Sequence, residues 1–180
     1  MKLLVLGGTR FVGRAVIEEA LARGWDITAL HRGVTGAPPA DVTVLRADRT
    51  CAENLAAALS DQSWDAVVDT WSGAPRVAGD AAELLSGRVG AYGYVSSASV
   101  YAWGTHRDES SPLVQGDATA EEGEYPALKR GAELAVLAAF PDALLARAGL
   151  VLGPHEGTGR LPWWMWGSAT DGQVVATRKQ

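Results

Sequence analysis

Short apolar segments alternate with helical patterns along most of this chain. Six segments of four to six residues read as strands, and they are Leu3–Leu6, Asp26–Leu30, Val42–Arg46, Ala66–Thr70, Tyr92–Ser96 and Ala143–Ala148. Helical patterns lie between most of them, from Phe11 to the glycine at position 24 and over Cys51–Ser60, Pro75–Leu85 and Glu121–Phe140. Strands that alternate with helices are typical of a parallel sheet with helices on both faces. The pattern therefore predicts an α/β fold with a doubly wound parallel sheet.

The first strand and the turn after it carry the most specific local signal. Leu3–Leu6 is apolar throughout, which predicts a central strand buried on both faces. Gly7 permits a positive φ and lets backbone N–H groups approach a pyrophosphate, while Gly13 lets the next helix pack close to the strand. These residues predict a Rossmann-type turn that binds a dinucleotide, although Arg10 stands where a third glycine is expected. A strand, turn and helix without a ligand is the alternative, because a single glycine motif is a weak signal.

Composition and charge argue against several classes of protein. The 180 residues carry a formal net charge of -5, so we expect no basic face and no nucleic-acid partner. The one cysteine excludes an internal disulfide framework and a cysteine-ligated zinc site, and it fits a reducing compartment. His31, His106 and His155 lack a metal-ligand spacing, so we expect no metal. The N-terminal apolar run is too short to span a bilayer, and we expect a cytoplasmic protein with no membrane partner.

A second group of residues suggests acid–base chemistry. Tyr125 and Lys129 stand four residues apart at the start of a predicted helix, so both side chains project from one face. An ammonium beside a phenol favours the phenolate form, which gives a general acid or base for a hydroxyl or carbonyl group. Ser97 follows the strand Tyr92–Ser96 at the carboxyl edge of the sheet, where open α/β folds bind ligands. A solvated lysine beside a packed tyrosine is the alternative, but the order of turn, serine and Tyr-Lys pair favours catalysis.

Three segments, in this order, carry a resemblance to a known family. They are the turn GGTRFVG at residues 7–13, the strand end SSASVY at residues 96–101 and the pair in YPALK at residues 125–129. In these segments the chain resembles the extended short-chain dehydrogenase/reductase superfamily, and within it the NAD-dependent epimerase/dehydratase family. The segments Trp64–Thr70 and Gly149–His155 are also similar to those of bacterial epimerase-like proteins with a Gly-Gly-Thr-Arg-Phe turn. The similarity runs over the whole chain.

The resemblance implies a role for each matching residue. Tyr125 is then the acid/base, Lys129 holds the nicotinamide ribose and tunes the tyrosine, and Ser97 orients the substrate hydroxyl. Asp48 matches the residue that contacts the adenine, and Trp71 lies in a stretch that faces the cofactor. The residues expected to bind the cofactor are Gly7, Thr9, Arg10, Phe11, Val12, Gly13, His31, Arg32, Asp48, Arg49, Thr70, Trp71 and Lys129.

Two departures from the family pattern bear on the reaction and the cofactor. Dehydratases of the family place an Asp-Glu pair after the catalytic serine or threonine, whereas Ala98-Ser99 stand here, which leaves epimerisation or carbonyl reduction. Members that prefer NAD carry an acidic residue after the second strand, whereas this chain has His31-Arg32-Gly33. A guanidinium can grip a 2′-phosphate with paired hydrogen bonds, so Arg32, together with Arg10, favours NADP, and NAD stays possible.

The sequence is expected to divide into two unequal parts. Residues 1–152 are the expected NAD(P)-binding Rossmann domain, and residues 153–180 read as the incomplete beginning of a small C-terminal substrate lobe with Trp163, Trp164 and Trp166 close together. A domain fragment, a truncated gene product and a protein completed by oligomerisation all stay open. The resemblance implies a homodimer through the helix that bears Tyr125.

We therefore expect an NAD(P)-dependent oxidoreductase or epimerase. It would act on a carbonyl or hydroxyl carbon of a small molecule, such as a nucleotide sugar, through Ser97, Tyr125 and Lys129. An NAD(P)-binding sensor or scaffold without turnover is the alternative, because little of a substrate lobe is expected. RNA binding, known for some relatives with this turn, is disfavoured by the acidic balance of charge.

Overall fold

The computed structural model describes residues 1–104 and 108–157, together with residues 159, 162, 163, 165 and 166. Within these residues the chain forms six strands and four α-helices in the predicted alternation. The strands are β1 Lys2–Leu6, β2 Asp26–His31, β3 Thr43–Arg46, β4 Trp64–Asp69, β5 Val89–Ser97 and β6 Leu144–Ala148. The helices are α1 Phe11–Ala22, α2 Ala52–Leu59, α3 Pro75–Leu85 and α4 Tyr125–Ala139, and a 3₁₀ turn, Ala98–Val100, follows β5.

The described strands form one parallel sheet in the order β3-β2-β1-β4-β5-β6. The chain starts at β1 near the centre, builds toward β3, and then crosses back to build toward β6. In register, Leu6 pairs with Leu30 of β2 and with Asp69 of β4, so the loops after these strands leave the sheet at one edge. Open α/β sheets bind ligands at such a switch point, and the topology confirms the predicted doubly wound fold.

The two faces of the sheet are covered unequally. One face packs against α2, α3 and α4, with Leu4 and Tyr94 completely buried between the layers. The opposite face packs against α1, where Val5 meets Ile17. Leu4 and Val5 have no exposed surface, which confirms that β1 is buried on both faces. Burial of each such side chain contributes about 1.5–3 kcal/mol, so β1 anchors the turn that follows it.

Helix α4 begins at Tyr125, so the prediction that it starts at Glu121 was wrong. Gly123 has a φ of +155°, a value that glycine adopts easily and a helix does not contain. Pro126 lies in the first turn of α4, where proline is tolerated because the N–H it lacks has no partner there. Tyr125 is consequently the first helical residue and lies at the exposed end of α4.

The loop between β5 and α4 is closed at its base. Tyr101 and Leu113 form an antiparallel bridge, and the Val114 N–H donates to the Val100 carbonyl at 2.8 Å. His106 lies outside the described residues.

The described residues beyond β6 expose large apolar side chains. Trp163 and Trp166 keep 61% and 73% of their surface exposed, and Trp164 lies outside the described residues. In the part of the chain that the structure describes, no helix is both long enough and apolar enough to cross a membrane.

Candidate active site

The turn after β1 brings backbone close to the start of α1. Gly7 and Gly8 each have a φ of +114°, and a Cβ on Gly7 would overlap the Thr70 hydroxyl. A Cβ on Gly13 would lie 2.6 Å from the Gly8 backbone nitrogen, so α1 packs on the turn without room for a side chain. Within the described residues, the Arg10 side chain makes no capping hydrogen bond to α1, and no acidic residue lies in the first turn of this helix. The Gly7 N–H donates to the Leu30 carbonyl at 3.0 Å, so the N–H groups at the start of α1, which have no helical partner, are the ones that fit the pyrophosphate of a dinucleotide.

A cavity of about 170 Å³, called here the β2 cavity, opens where β1 and β2 end. Its lining includes eight residues predicted to bind a cofactor, namely Gly7, Thr9, His31, Arg32, Asp48, Arg49, Thr70 and Trp71. Leu30 and Ala47 add apolar walls. Asp48 accepts hydrogen bonds from the backbone N–H and the hydroxyl of Thr50, at 3.0 Å and 2.8 Å, and these bonds lower the pKa of its carboxyl. Apolar walls beside an ionised carboxylate suit an adenosine ring and its hydroxyls.

A wider space of about 540 Å³, called here the β5 cleft, lies on the other side of the turn. Its lining includes the remaining predicted site residues, namely Arg10, Phe11, Val12, Gly13, Ser97, Tyr125 and Lys129. Thr70 and Ser72 line both spaces, so the β2 cavity and the β5 cleft adjoin at the end of β4. The structure thus brings the predicted catalytic and cofactor-binding residues together along one groove.

Lys129 is almost completely buried, with 4% of its surface exposed. Its ammonium donates to the Trp71 carbonyl at 2.6 Å, to the Val95 carbonyl at 2.8 Å and to the Tyr94 hydroxyl at 3.2 Å. Removal from water lowers the pKa of Lys129 to about 8, although two buried carboxylates nearby act in the opposite direction. Three acceptors therefore hold the ammonium in place. Lys129 gains or loses its proton near the pH at which enzymes work.

Ser97 and Tyr125 present hydroxyl groups to the same cleft. Tyr125 keeps 49% of its surface exposed. The Ser97 Oγ accepts the backbone N–H of Ser99 at 3.2 Å, which holds the oxygen while leaving its proton to be donated. A phenol and a hydroxyl beside a buried ammonium form an arrangement that can bind a substrate oxygen and exchange a proton with it.

Comparison with known proteins identifies the family. Residues 3–166 match the family model described as NAD dependent epimerase/dehydratase family. The chain belongs to this family. No curated protein matches it.

Solved structures share the fold. The enzyme WbmG from Bordetella bronchiseptica, solved with NAD, matches with a TM-score of 0.76 and 21% identity, over 97% of this chain and 61% of its own. WbmH from the same organism, in complex with NAD+, matches with a TM-score of 0.75 and 18% identity, over 97% and 64%. The dTDP-glucose 4,6-dehydratase from Bacillus anthracis str. Ames, with NAD, gives 0.72 and 18%, over 97% and 63%. The chain thus spans about three fifths of the length of these structures.

Arg49, predicted to bind the cofactor of this epimerase/dehydratase family member, lines the β2 cavity and also forms a buried ion pair. Its guanidinium donates to both carboxylate oxygens of Asp69 at 2.7 Å, and it stacks over the Trp71 ring at 5.2 Å. Tyr92 donates its hydroxyl to the same carboxylate at 2.8 Å. Arg49 is 6% exposed and Asp69 is fully buried, so this cluster supports the floor of the β2 cavity.

Glu133 is a site-supporting residue that the sequence analysis missed. It is fully buried one turn beyond Lys129 and accepts hydrogen bonds from Ser96 at 2.7 Å, from Arg130 at 2.9 Å and from Arg147 at 2.8 Å and 3.0 Å. Burial alone would raise the pKa of Glu133, but these hydrogen bonds outweigh it and lower the pKa. The cluster joins β5, α4 and β6 directly behind the β5 cleft. Its sequence signal was the four-residue spacing from Lys129, which puts both on one helix face.

Proposed function

We propose that this member of the epimerase/dehydratase family binds a nicotinamide adenine dinucleotide along the groove and uses it in redox chemistry on a hydroxyl or carbonyl carbon. The observation that carries the proposal is the convergence of Ser97, Tyr125 and Lys129 on the β5 cleft, beside the glycine turn. In this assignment the β2 cavity takes the adenosine half and the β5 cleft takes the nicotinamide half and the substrate.

The residues present fit such a cofactor. The backbone around Gly7 and the first turn of α1 would hold the pyrophosphate, and Asp48 would accept hydrogen bonds in the β2 cavity. A ribose hydroxyl at Lys129 would replace the longest of its three hydrogen bonds, the 3.2 Å contact with Tyr94. When bound, the nicotinamide supplies or accepts a hydride.

The proton is handled by side chains of this chain. Ser97 donates a hydrogen bond to the substrate oxygen and orients it. Tyr125 takes the proton from a substrate hydroxyl, or returns it to a carbonyl oxygen, as the carbon is oxidised or reduced. The Lys129 ammonium favours the phenolate during that transfer, because its charge is not screened by water in its buried position.

We propose a nucleotide sugar or a related small molecule as the substrate. The name of the Bacillus anthracis relative specifies dTDP-glucose, which supports this class. Ala98 and Ser99, in the 3₁₀ turn after Ser97, provide no carboxyl group at the place of the dehydratase Asp-Glu pair. The proposed reaction is therefore epimerisation or carbonyl reduction rather than dehydration.

A cofactor-binding sensor or scaffold without turnover is the second candidate. The chain spans 61% to 64% of the solved structures WbmG and WbmH. Cofactor binding and turnover therefore need separate measurement.

One assay separates the two candidates. The protein is incubated with NAD(P)+ or NAD(P)H and a panel of UDP- and dTDP-linked hexoses and simple carbonyl compounds. Nicotinamide absorbance reports net redox change, and proton NMR of the sugars reports epimerisation, which leaves the absorbance unchanged. We expect turnover that Tyr125→Phe removes while cofactor binding is kept. Tight cofactor binding with no product from any substrate would favour the sensor or scaffold.

Cofactor preference and assembly are further parts of the proposal. We propose NADP over NAD. Arg32, the residue predicted to favour NADP, lies 4.0 Å from Asp48 with both side chains exposed, and such an ion pair contributes little stability by itself. The homodimer through α4 stays a prediction, and a monomer in sedimentation would contradict it.

A further inference from the structure

His31 ends β2 with one ring nitrogen satisfied and the other not. The side chain is buried, with 8% of the residue exposed. Its Nδ1 accepts the backbone N–H of Gly33 at 3.0 Å, so in the neutral ring the proton is on Nε2. Among the described residues, Nε2 has no hydrogen-bond partner. Burial and the nearby Arg46 charge lower the pKa of His31, which keeps the ring neutral at physiological pH. A buried donor without an acceptor is costly, and its presence calls for a ligand that supplies one.

Arg46 lies beside this imidazole on the neighbouring strand. It pairs with His31 in the parallel register of β2 and β3, so the two side chains leave the sheet on the same face. Its Nη1 lies 2.9 Å from where a Cβ on Gly33 would be, and glycine at 33, with a φ of +82°, leaves that space to the guanidinium. Arg46 is exposed and, within the described residues, makes no ion pair.

The two side chains line a space that lies next to the β2 cavity. This outer pocket has a volume of about 500 Å³, and its walls include Gly36, Pro38 and Val44 as well as His31 and Arg46. His31 also lines the β2 cavity, so it stands between the two spaces. Within the described residues no carboxyl group lines the outer pocket, and an anion there meets one cation and one N–H donor.

We propose that the outer pocket binds a phosphoryl group, with the His31 Nε2–H donating to one oxygen and the Arg46 guanidinium pairing with the others. The Arg46 side chain is exposed and long, so its guanidinium turns from Gly33 toward the anion as the group binds. The inference rests on the proposed function for its preferred ligand, which is the phosphate on the adenosine ribose of a dinucleotide held in the β2 cavity. His31 and Arg46, rather than Arg32, then determine the preference for NADP.

Arg32 is a poorer candidate for the same group. It lines the β2 cavity together with Asp48, whose carboxylate is 4.0 Å from its Nη1 and is held ionised by Thr50. A phosphate at Arg32 would meet that negative charge, whereas the outer pocket offers none.

The test compares three probes on the full chain by calorimetry, namely 2′-AMP, 5′-AMP and inorganic phosphate. We expect 2′-AMP to bind more tightly than 5′-AMP by about tenfold, the size of one charge-assisted contact. Arg46→Met should remove that difference and leave 5′-AMP binding unchanged, because Arg46 does not line the β2 cavity. His31→Asn should also remove the difference. Asn keeps an acceptor for the Gly33 N–H, but its shorter amide does not place an N–H at the position of Nε2. The longer Gln amide reaches that position, so His31→Gln should restore part of the difference. Arg23→Met, at the exposed end of α1, is the matched control.

The outcomes separate the pocket from the proposed function. If NAD+ and 5′-AMP bind but 2′-AMP binds no more tightly, or if only Arg32→Met removes its advantage, the inference is overturned and the proposed function stands. If inorganic phosphate binds with the same sensitivity to Arg46→Met while neither dinucleotide binds, the pocket is supported as a free-phosphate site and the proposed function fails. Arg46→Met alters an exposed side chain, so the test holds even where a His31 variant does not fold.

Discussion

The β2 cavity and the β5 cleft are built in different ways, although they adjoin at Thr70. The β2 cavity is narrow, and much of its shape comes from backbone, in particular the turn at Gly7 that admits no Cβ. The β5 cleft is about three times larger, and its chemistry comes from the side chains of Ser97, Tyr125 and Lys129. Holding a nucleotide requires a fixed surface, whereas moving a proton requires groups whose charge can change.

Next to each of the two spaces lies a buried carboxylate that is paired with arginine. Asp69 below the β2 cavity is paired with Arg49, whose side chain is 7% exposed. Glu133 behind the β5 cleft is paired with Arg147 and Arg130, whose side chains are 18% and 19% exposed. The first pair is almost completely buried and the arginines of the second are partly exposed, so breaking the two pairs should cost different amounts of stability.

The largest expected effect separates chemistry in the β5 cleft from binding. Tyr125→Phe should lower turnover by about 10²- to 10⁴-fold, because it removes the proton donor and acceptor, and should leave the cofactor dissociation constant unchanged. Steady-state kinetics and a cofactor titration measure the two quantities. Tyr101→Phe is the matched control, since its hydroxyl contacts Arg147 and lies outside the lining of the cleft. Equal loss in both variants would mean that Tyr125 has no special role.

The two ion pairs should respond unequally to neutral replacements. Asp69→Asn should lower the free energy of unfolding by about 3–5 kcal/mol, because Arg49 is left buried without a counter-charge. Glu133→Gln should cost less, about 1–3 kcal/mol, because water can reach Arg147 and Arg130. Urea unfolding followed by circular dichroism measures both. A larger loss of stability for Glu133→Gln than for Asp69→Asn would contradict the expected difference between the two ion pairs.

The burial of Lys129 should appear as a pH dependence of stability. Its pKa is about 8 in the folded chain against an ordinary value of 10.5, so the unfolded chain binds the extra proton between these pH values. Below pH 8 the buried, protonated Lys129 therefore lowers the free energy of unfolding. As the pH rises from 8 to 10.5, the free energy of unfolding increases by at most about 3 kcal/mol. The difference in unfolding free energy between wild type and Lys129→Met, measured by urea at both ends of this range, reports it. A difference that does not change with pH would contradict the assignment.

The smallest expected effect concerns the turn. Gly7→Ala should weaken binding of NAD(P)H by about tenfold, because the added Cβ meets Thr70 and the φ of +114° is unfavourable for alanine. Gly93→Ala in β5 is the matched control, since its Cβ would make an ordinary contact of 3.6 Å with the Val67 carbonyl. Nicotinamide fluorescence measures the affinity. Unchanged binding in Gly7→Ala would remove the turn from the cofactor site.

The comparison also explains what the sequence could predict. The strands, the turn and most helix bounds follow from local patterns, because alternation and glycine placement act within a few residues. The predicted start of α4 was wrong because the helical pattern was extended through Gly123. Pro126 already indicated that the first turn of the helix lies there.

The support of the site could not be predicted in the same way. Arg49 was predicted only as a cofactor-binding residue, and it lines the β2 cavity, but the structure also pairs it with Asp69, twenty residues away. The partners of Glu133 likewise come from β5 and β6, so only tertiary packing identifies them. Pairing of charges across strands has no local sequence signal.

The central claim is that one dinucleotide spans both spaces, and contacts of the bound cofactor test it most directly. In protein with labelled methyl groups, nuclear Overhauser effects from NADP+ report which methyl groups lie near each ring system. The account predicts that the adenine protons contact the Leu30 and Ala47 methyl groups of the β2 cavity, and that the nicotinamide protons contact the Val95 methyl groups of the β5 cleft. Nicotinamide protons without contacts in the β5 cleft, in a complex whose adenine is bound, would contradict it.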